Sequence, residues 1–231
     1  MTITLITGAN KGLGRETARR LIDLGHSVYV TARDAERGKA AAAALGARFL
    51  RLDVTDDASV EEAAAALSEA EGRLDVLVNN AGVAGGWIAP DQASAADMLR
   101  VYDTNVFGIV RVTRAFLPLL RASAAPVIVN VGSGLGSKGV TTDPDRMESA
   151  YPSLVYGSSK AAVAMLTVQY AKALPDMRVN VADPGYTATD LNGNSGTQTL
   201  TEGTDAIVCL ATVGPDGPTG TFQDRRGTVP W

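Results

Sequence analysis

The chain has 231 residues, 45% of them hydrophobic, with 21 basic against 25 acidic side chains and a net charge of −4. That length suits one α/β domain with a substantial core, and the acidic balance gives no general attraction to nucleic acid or to an anionic membrane. A single cysteine, Cys209, excludes an intramolecular disulfide, and a single histidine, His26, with no cysteine cluster argues against a zinc site and a serine–histidine triad.

The chain opens on "MTITLI", which reads as a short buried strand, followed by Gly8, Gly12 and Gly14 in a G-x-x-x-G-x-G spacing. "RETARRLIDLG" then has helical spacing, with Ala18, Leu21 and Ile22 on one side. Strand, glycine turn and helix together suggest a phosphate cradle. A helix N-terminus offers free backbone N–H groups and a partial positive charge, and glycine removes the side chain that would block a phosphate. The spacing differs from the G-x-G-x-x-G dinucleotide fingerprint, so at this point a tight turn without a ligand stands as the alternative.

His26 lies in the turn "LGHSV". Beyond it, "SVYVTA", "RFLRLDV", "LDVLVNNAG", "APVIVNVGS" and "RVNVADPG" read as strands, and the segments around 34–46, 56–72, 93–121 and 156–174 as helices. Strands alternating with helices predict a doubly wound parallel sheet covered on both faces. The strands end in Gly8, Arg33, Asp53, Asn79, Ser133 and Pro184, and in such sheets these ends line one cleft. The alanine-rich runs reflect helix propensity rather than a repeat. Cys209, in "AIVCLAT", is expected to be buried and inert. No basic leader and no long apolar run is present, so a soluble cytoplasmic protein is expected, with no membrane partner.

In "VYGSSKA", Tyr156 and Lys160 stand four apart and share a helix face, and no other tyrosine has lysine at the fourth position. Alone, the pair reads better as an exposed face with a solvated lysine. Other motifs join it. "TGANKGLG", "NNAG", Asn105 in "TNVFG", Ser133 in "VNVGS", "YGSSK" and "DPGYTAT" follow the order and approximate spacing of the short-chain dehydrogenase/reductase family, which the whole chain resembles. "VTARDAERG" and the ending "GPTGTFQDRRGTVPW" are similar to its carbonyl-reductase branch.

That resemblance implies a Rossmann-type α/β fold, one domain over residues 1–231, and hydride transfer between NADP(H) and a small carbonyl or alcohol, with no metal. Reduction of a ketone, aldehyde or quinone carbonyl is the expected reaction. Tyr156 is implied as the proton donor, with Lys160 lowering its pKa and binding the nicotinamide ribose. Ser133 is implied to hold the substrate oxygen, and Asn105 to hold a water through backbone contacts, with a purely structural Asn105 as the alternative. The implied glycine-turn part of the cofactor site is Gly8, Asn10, Lys11, Gly12, Leu13 and Gly14. Asp53 and Val54 are implied at the adenine, and Asn79, Ala81 and Gly82 along the adenosine ribose and diphosphate. Pro184, Gly185, Thr187 and Thr189 would hold the nicotinamide carboxamide. Alternatives are an N-cap role for Asp53 and a turn-bracing role for Asn79 and Asn80.

NAD users of the family generally carry an acid at the end of the second strand. Here Ala32 holds that position and Arg33 follows, a guanidinium suited to the 2′-phosphate of NADP(H), with Lys11 reaching the same group. Arg33 as a solvated charge, with Asp34 turned to the ribose, is the alternative.

The Ser133–Tyr156 spacing exceeds that of most members, so Ser137 is a fallback for the serine role, and Tyr151 is a rival acid without a lysine four residues on. "DLNGNSGTQTLT" reads as a mobile loop over a fairly open pocket, with Trp87, Tyr151 and Tyr186 as aromatic walls. The rival function is a regulatory NADP(H)-binding protein without turnover, and a sugar-nucleotide epimerase or dehydratase stands behind it. A homo-oligomer through the helices around Tyr156 is left open.

Overall fold

The computed structural model describes residues 1–231. β1 (Ile3–Ile6) is buried at all four positions, as a Thr/Ile/Leu run closed on both faces must be. The glycine turn leads into α1 (Gly12–Asp23), which buries Gly14, Thr17, Ala18 and Leu21. Then follow β2 (Ser27–Ala32), α2 (Ala35–Leu45), β3 (Arg48–Arg51), α3 (Asp57–Glu71) and β4 (Val76–Asn79). Asp34 and Asp56 cap α2 and α3 by accepting backbone N–H bonds, and left-handed Gly46 and Gly72 end them. The second half runs through α4 (Ala95–Tyr102), α5 (Gly108–Arg121), β5 (Val127–Val131), α6 (Lys138–Thr141), α7 (Leu154–Ala173) and β6 (Arg178–Ala182). It closes with α8 (Leu200–Gly203), α9 (Asp205–Ala211), β7 (Phe222–Asp224) and β8 (Gly227–Thr228).

One eight-stranded sheet has the order β3-β2-β1-β4-β5-β6-β7-β8, parallel except for β8. The strand order reverses between β1 and β4, which opens a crevice at their carboxyl ends. Alternate residues of each strand feed opposite faces. Ile6 and Val78 pack with Ala18, Leu21 and Ile207 beneath α1 and α9, whereas Leu5 and Leu77 pack with Leu67, Phe116 and Leu120 of α3 and α5. Phe116 and Leu120 are fully buried, and each stabilises the fold by about 1.5–3 kcal/mol relative to exposure.

Three expectations change. The helical stretch 93–121 is not one α-helix, because a π-helical turn over Asp103–Phe107 divides α4 from α5. Cys209 is exposed, since α9 presents Ala206, Ile207, Leu210 and Ala211 to the sheet and residue 209 falls outside that stripe. The segment after Thr189 carries more structure than its composition suggests: Gln198 N–H donates to the Tyr186 carbonyl at 3.0 Å and Asn192 Nδ2 to the Thr187 carbonyl at 2.9 Å. No helix is long and apolar enough to cross a membrane.

Candidate active site

A cleft of about 670 Å³ lies along the carboxyl ends of β1, β2, β4, β5 and β6. Ser133 enters it two residues beyond β5, and its hydroxyl accepts from the Leu135 N–H at 3.3 Å, which opens a 3-10 turn over Gly134–Gly136. Tyr156 and Lys160 reach the same cleft one helical turn apart on α7. The Lys160 ammonium donates to the Val131 carbonyl at 2.8 Å and lies 5.7 Å from the centre of the Tyr156 ring.

The titration of this pair departs from the expectation. Tyr156 keeps part of its ring open to the cleft, yet the surrounding protein desolvates its phenol and pushes its pKa up to about 12. The neighbouring Ser133 hydroxyl pulls it down, and the charge of Asp183 pushes it further up. Burial likewise brings Lys160 down to about 8, with Asp183 opposing. The ammonium is held by a carbonyl beyond the ring rather than by the phenol oxygen, so desolvation outweighs its attraction for a phenolate.

Ser137 does not line the cleft. It is buried, donates to the Pro230 carbonyl and caps α6 by accepting from the Val140 N–H at 3.0 Å. Tyr151 is exposed outside the cleft, whereas Trp87 and Tyr186 line it. Asn105, in the π turn, commits its side chain to protein: Oδ1 accepts from the Val83 N–H at 2.8 Å, and Nδ2 donates to the Val83 carbonyl and to Ser159 Oγ, both at 3.0 Å. Its side chain therefore joins the segment after "NNAG" to α7.

On the other side of the cleft, Gly8 and Gly12 have positive φ of 62° and 56°. Any Cβ at Gly14 would stand 2.5 Å from Asn80 Nδ2 and 2.9 Å from Ala9 Cα, so only glycine lets α1 lie this close to β1 and β4. No side chain caps α1, and its first N–H groups are free for an anion. Gly8, Asn10, Lys11, Gly12, Leu13, Asp53, Val54, Ala81, Gly82, Pro184, Gly185, Thr187 and Thr189 all line the cleft. Asp53 does not cap a helix. One of its oxygens accepts from Thr55 N–H and Oγ1, and the other has no protein partner. Arg33 is exposed in the cleft and unpaired, whereas Asp34 caps α2 and pairs with Arg37 at 3.6 Å. Lys11 pairs with Asp190 across the cleft at 2.8 Å.

Asn79 is a correction. Its side chain is buried between β4 and β5, where Nδ2 donates to Asn130 Oδ1 at 2.9 Å, so it lies outside the cleft lining. The last residue of a buried strand follows the pleat, and here the pleat turns it into the sheet. Asn80 faces the cleft instead and braces the turn by donating to the Thr7 and Gly8 carbonyls at 2.8 and 3.2 Å. Thr7, which sequence reasoning passed over, accepts from the N–H groups of both Asn80 and Ala81. Asp183 was also missed; its signal was a charged residue directly after the buried run "VNVA".

The short chain dehydrogenase model matches residues 2–200. The chain belongs to that family. It is an oxidoreductase of the family and carries the family's site for a nicotinamide cofactor, which the uncapped helix, the glycine turn and the lined cleft fit. It is 37% identical to the short-chain dehydrogenase anuI of Penicillium roqueforti over 98% of this chain and 95% of the relative. It is 30% identical to (+)-neomenthol dehydrogenase of Capsicum annuum over 96% of this chain and 95% of the relative. Among solved structures, NADPH-bound carbonyl reductase from chicken fatty liver superposes with a TM-score of 0.87 at 27% identity, covering 100% of both chains.

Proposed function

We propose that the protein is an NADPH-dependent reductase of ketone, aldehyde or quinone carbonyls, with residues 1–231 acting as one catalytic unit. The observation that carries this reading is the convergence of Ser133, Tyr156 and Lys160 in one cleft beside an uncapped helix N-terminus. When bound, the reduced nicotinamide supplies the hydride that reaches the carbonyl carbon. Ser133 Oγ donates a hydrogen bond to the carbonyl oxygen and stabilises the charge that develops there. Tyr156, neutral at physiological pH, donates the proton to the same oxygen. Lys160 supports Tyr156 and orients the cofactor ribose, and the backbone around Asn105 holds water on the route by which the proton is replaced.

NADPH rather than NADH is favoured by three features of the β2 end. Ala32 leaves no carboxylate there to repel a 2′-phosphate, Arg33 is unpaired, and Asp34 is engaged as the cap of α2. Likeness to an NADPH-bound carbonyl reductase supports the same choice. The test is NADPH oxidation, followed by absorbance, with a panel of quinones, aromatic ketones, aldehydes and keto-steroids. Consumption with at least one of them is expected, and NADPH binding without turnover of any member would favour a regulatory binding protein instead.

A further inference from the structure

Asp183 is 4% exposed, pairs with no cation within ion-pair distance and has no part in the chemistry described so far. Its own N–H donates to the Gln223 carbonyl at 2.7 Å, which fixes the backbone just beyond β6. One carboxylate oxygen accepts from the Gly185 N–H at 2.9 Å, and the other faces the Gly134 backbone, whose N–H lowers the carboxyl pKa. Gly134 follows Ser133, and Gly185 sits in the turn that carries Pro184 and Thr187. A single buried carboxylate thus joins the loop after β5 to the loop after β6, on the two sides of the reacting centre.

The charged and titratable groups facing Asp183 come from three elements. Helix α7 presents Tyr156 and Lys160, and the charge of Asp183 raises the pKa of both. β7 presents Asp224, and the 3-10 turn over Met147–Ala150 presents Glu148, which is paired with Arg146 at 3.6 Å. A Cβ at Gly134 would lie 2.9 Å from Glu148 Oε1 and 3.1 Å from Asp183 Oδ2, so the two carboxyl groups flank the same backbone position. β5 contributes no titratable side chain.

We propose that Asp183 is a positioning residue: its ionised carboxylate clamps the Ser133 loop to the Gly185 turn and, as the buried counter-charge of Lys160, holds the Tyr156–Lys160 pair in its proton-donating state. The inference rests on the reductase reading of that pair. Burial above all raises the Asp183 carboxyl to about 6, against the lowering effect of the Gly185 and Gly134 backbone N–H groups, and the charges of Asp224 and Glu148 add to the rise. Protonation below that pH turns one acceptor oxygen into a donor, loosens the clamp and withdraws the negative charge from Lys160.

Asp183→Asn preserves shape and removes the charge. With phenanthrenequinone as the probe substrate, wild-type kcat/KM falls below pH 6. The variant loses that acid limb, its alkaline limb moves down by about one pH unit because Tyr156 and Lys160 lose an anion, and kcat/KM at neutral pH drops about tenfold. A second readout needs neither cofactor nor substrate. In protein labelled with carbon-13 at the Asp carboxyl and the Tyr ring, one carboxyl resonance, absent from Asp183→Asn, titrates near pH 6, and the Tyr156 resonance steps with it.

Glu148→Gln leaves Asp183 in place, moves both its carboxyl titration and the acid limb to lower pH, and carries the test if Asp183→Asn does not fold. Superimposable pH profiles of wild type and Asp183→Asn, or an Asp183 carboxyl that titrates in the ordinary range with no step at Tyr156, would overturn the inference. An inert wild type that still shows the coupled carbon-13 step counts against the reductase reading and not against the coupling.

Discussion

At the end of the cleft formed by β5, β6 and α7, Lys160 and Asp183 are only 6% and 4% exposed, and burial is the main cause that brings Lys160 down to about 8 and Asp183 up to about 6. At the other end, formed by the glycine turn and β2, Lys11 and Asp190 each leave 62% of the side chain in solvent, and Arg33 is exposed. One buried charge therefore acts strongly on its neighbours in the first region, whereas solvent screens each pair in the second. In the proposed function this is a division of labour: burial would set proton chemistry at one end, and charge placement would set ligand choice at the other.

The sharpest way to break this contrast is at the buried end. Tyr156→Phe keeps the ring and its packing and removes the proton donor, so kcat is expected to fall by several orders of magnitude while NADPH affinity, read by fluorescence quenching, stays close to wild type. An undiminished kcat would exclude Tyr156 as the donor. Ser133→Ala is expected to lower kcat by about a hundredfold or more, and Ser137→Ala to lower thermal stability through its lost bonds to Pro230 and Val140 while sparing kcat. The reverse pattern would move the oxyanion role to Ser137.

At the exposed end, the double substitution Ala32→Asp with Arg33→Ala is expected to reverse a preference for NADPH over NADH of roughly a hundredfold in Kd, measured by titration of both cofactors. Equal wild-type dissociation constants would remove Arg33 from its role. For Lys160, whose folded pKa lies at about 8 below its ordinary value of 10.5, raising the pH strips the proton near 8. The expected kcat/KM therefore declines above pH 8. The same shift means that the unfolded chain binds more protons between about 8 and 10.5, so the contribution of Lys160 to stability rises with pH across that window. A Lys160→Met variant should lack that contribution in thermal denaturation curves. The smallest effect is expected at Asp190→Asn, which breaks the exposed pair with Lys11: NADPH Kd should change by less than about fivefold, with the change fading in high salt.

The sequence by itself determined the alternation of strands and helices, the parallel sheet and the family. Those features rest on local periodicity, glycine placement and motif order, which a chain carries before it folds. It also indicated the residues at the strand ends, and the folded chain brings Ser133, Tyr156, Lys160, Arg33 and Asp53 to one cleft. Only the tertiary structure decided which asparagine of "NNAG" faces that cleft, because one step along the pleat sends Asn79 inward to Asn130 and Asn80 outward to the glycine turn. It decided that Ser137 bonds the Pro230 carbonyl, a contact between residues far apart in the chain. It decided, too, that Cys209 is exposed and that Asp183 lies buried against Gly134 and Gly185. Burial and long-range charge depend on what the rest of the chain places around a residue, and they set the titration of Tyr156, Lys160 and Asp183 where residue type alone would put each at its ordinary value.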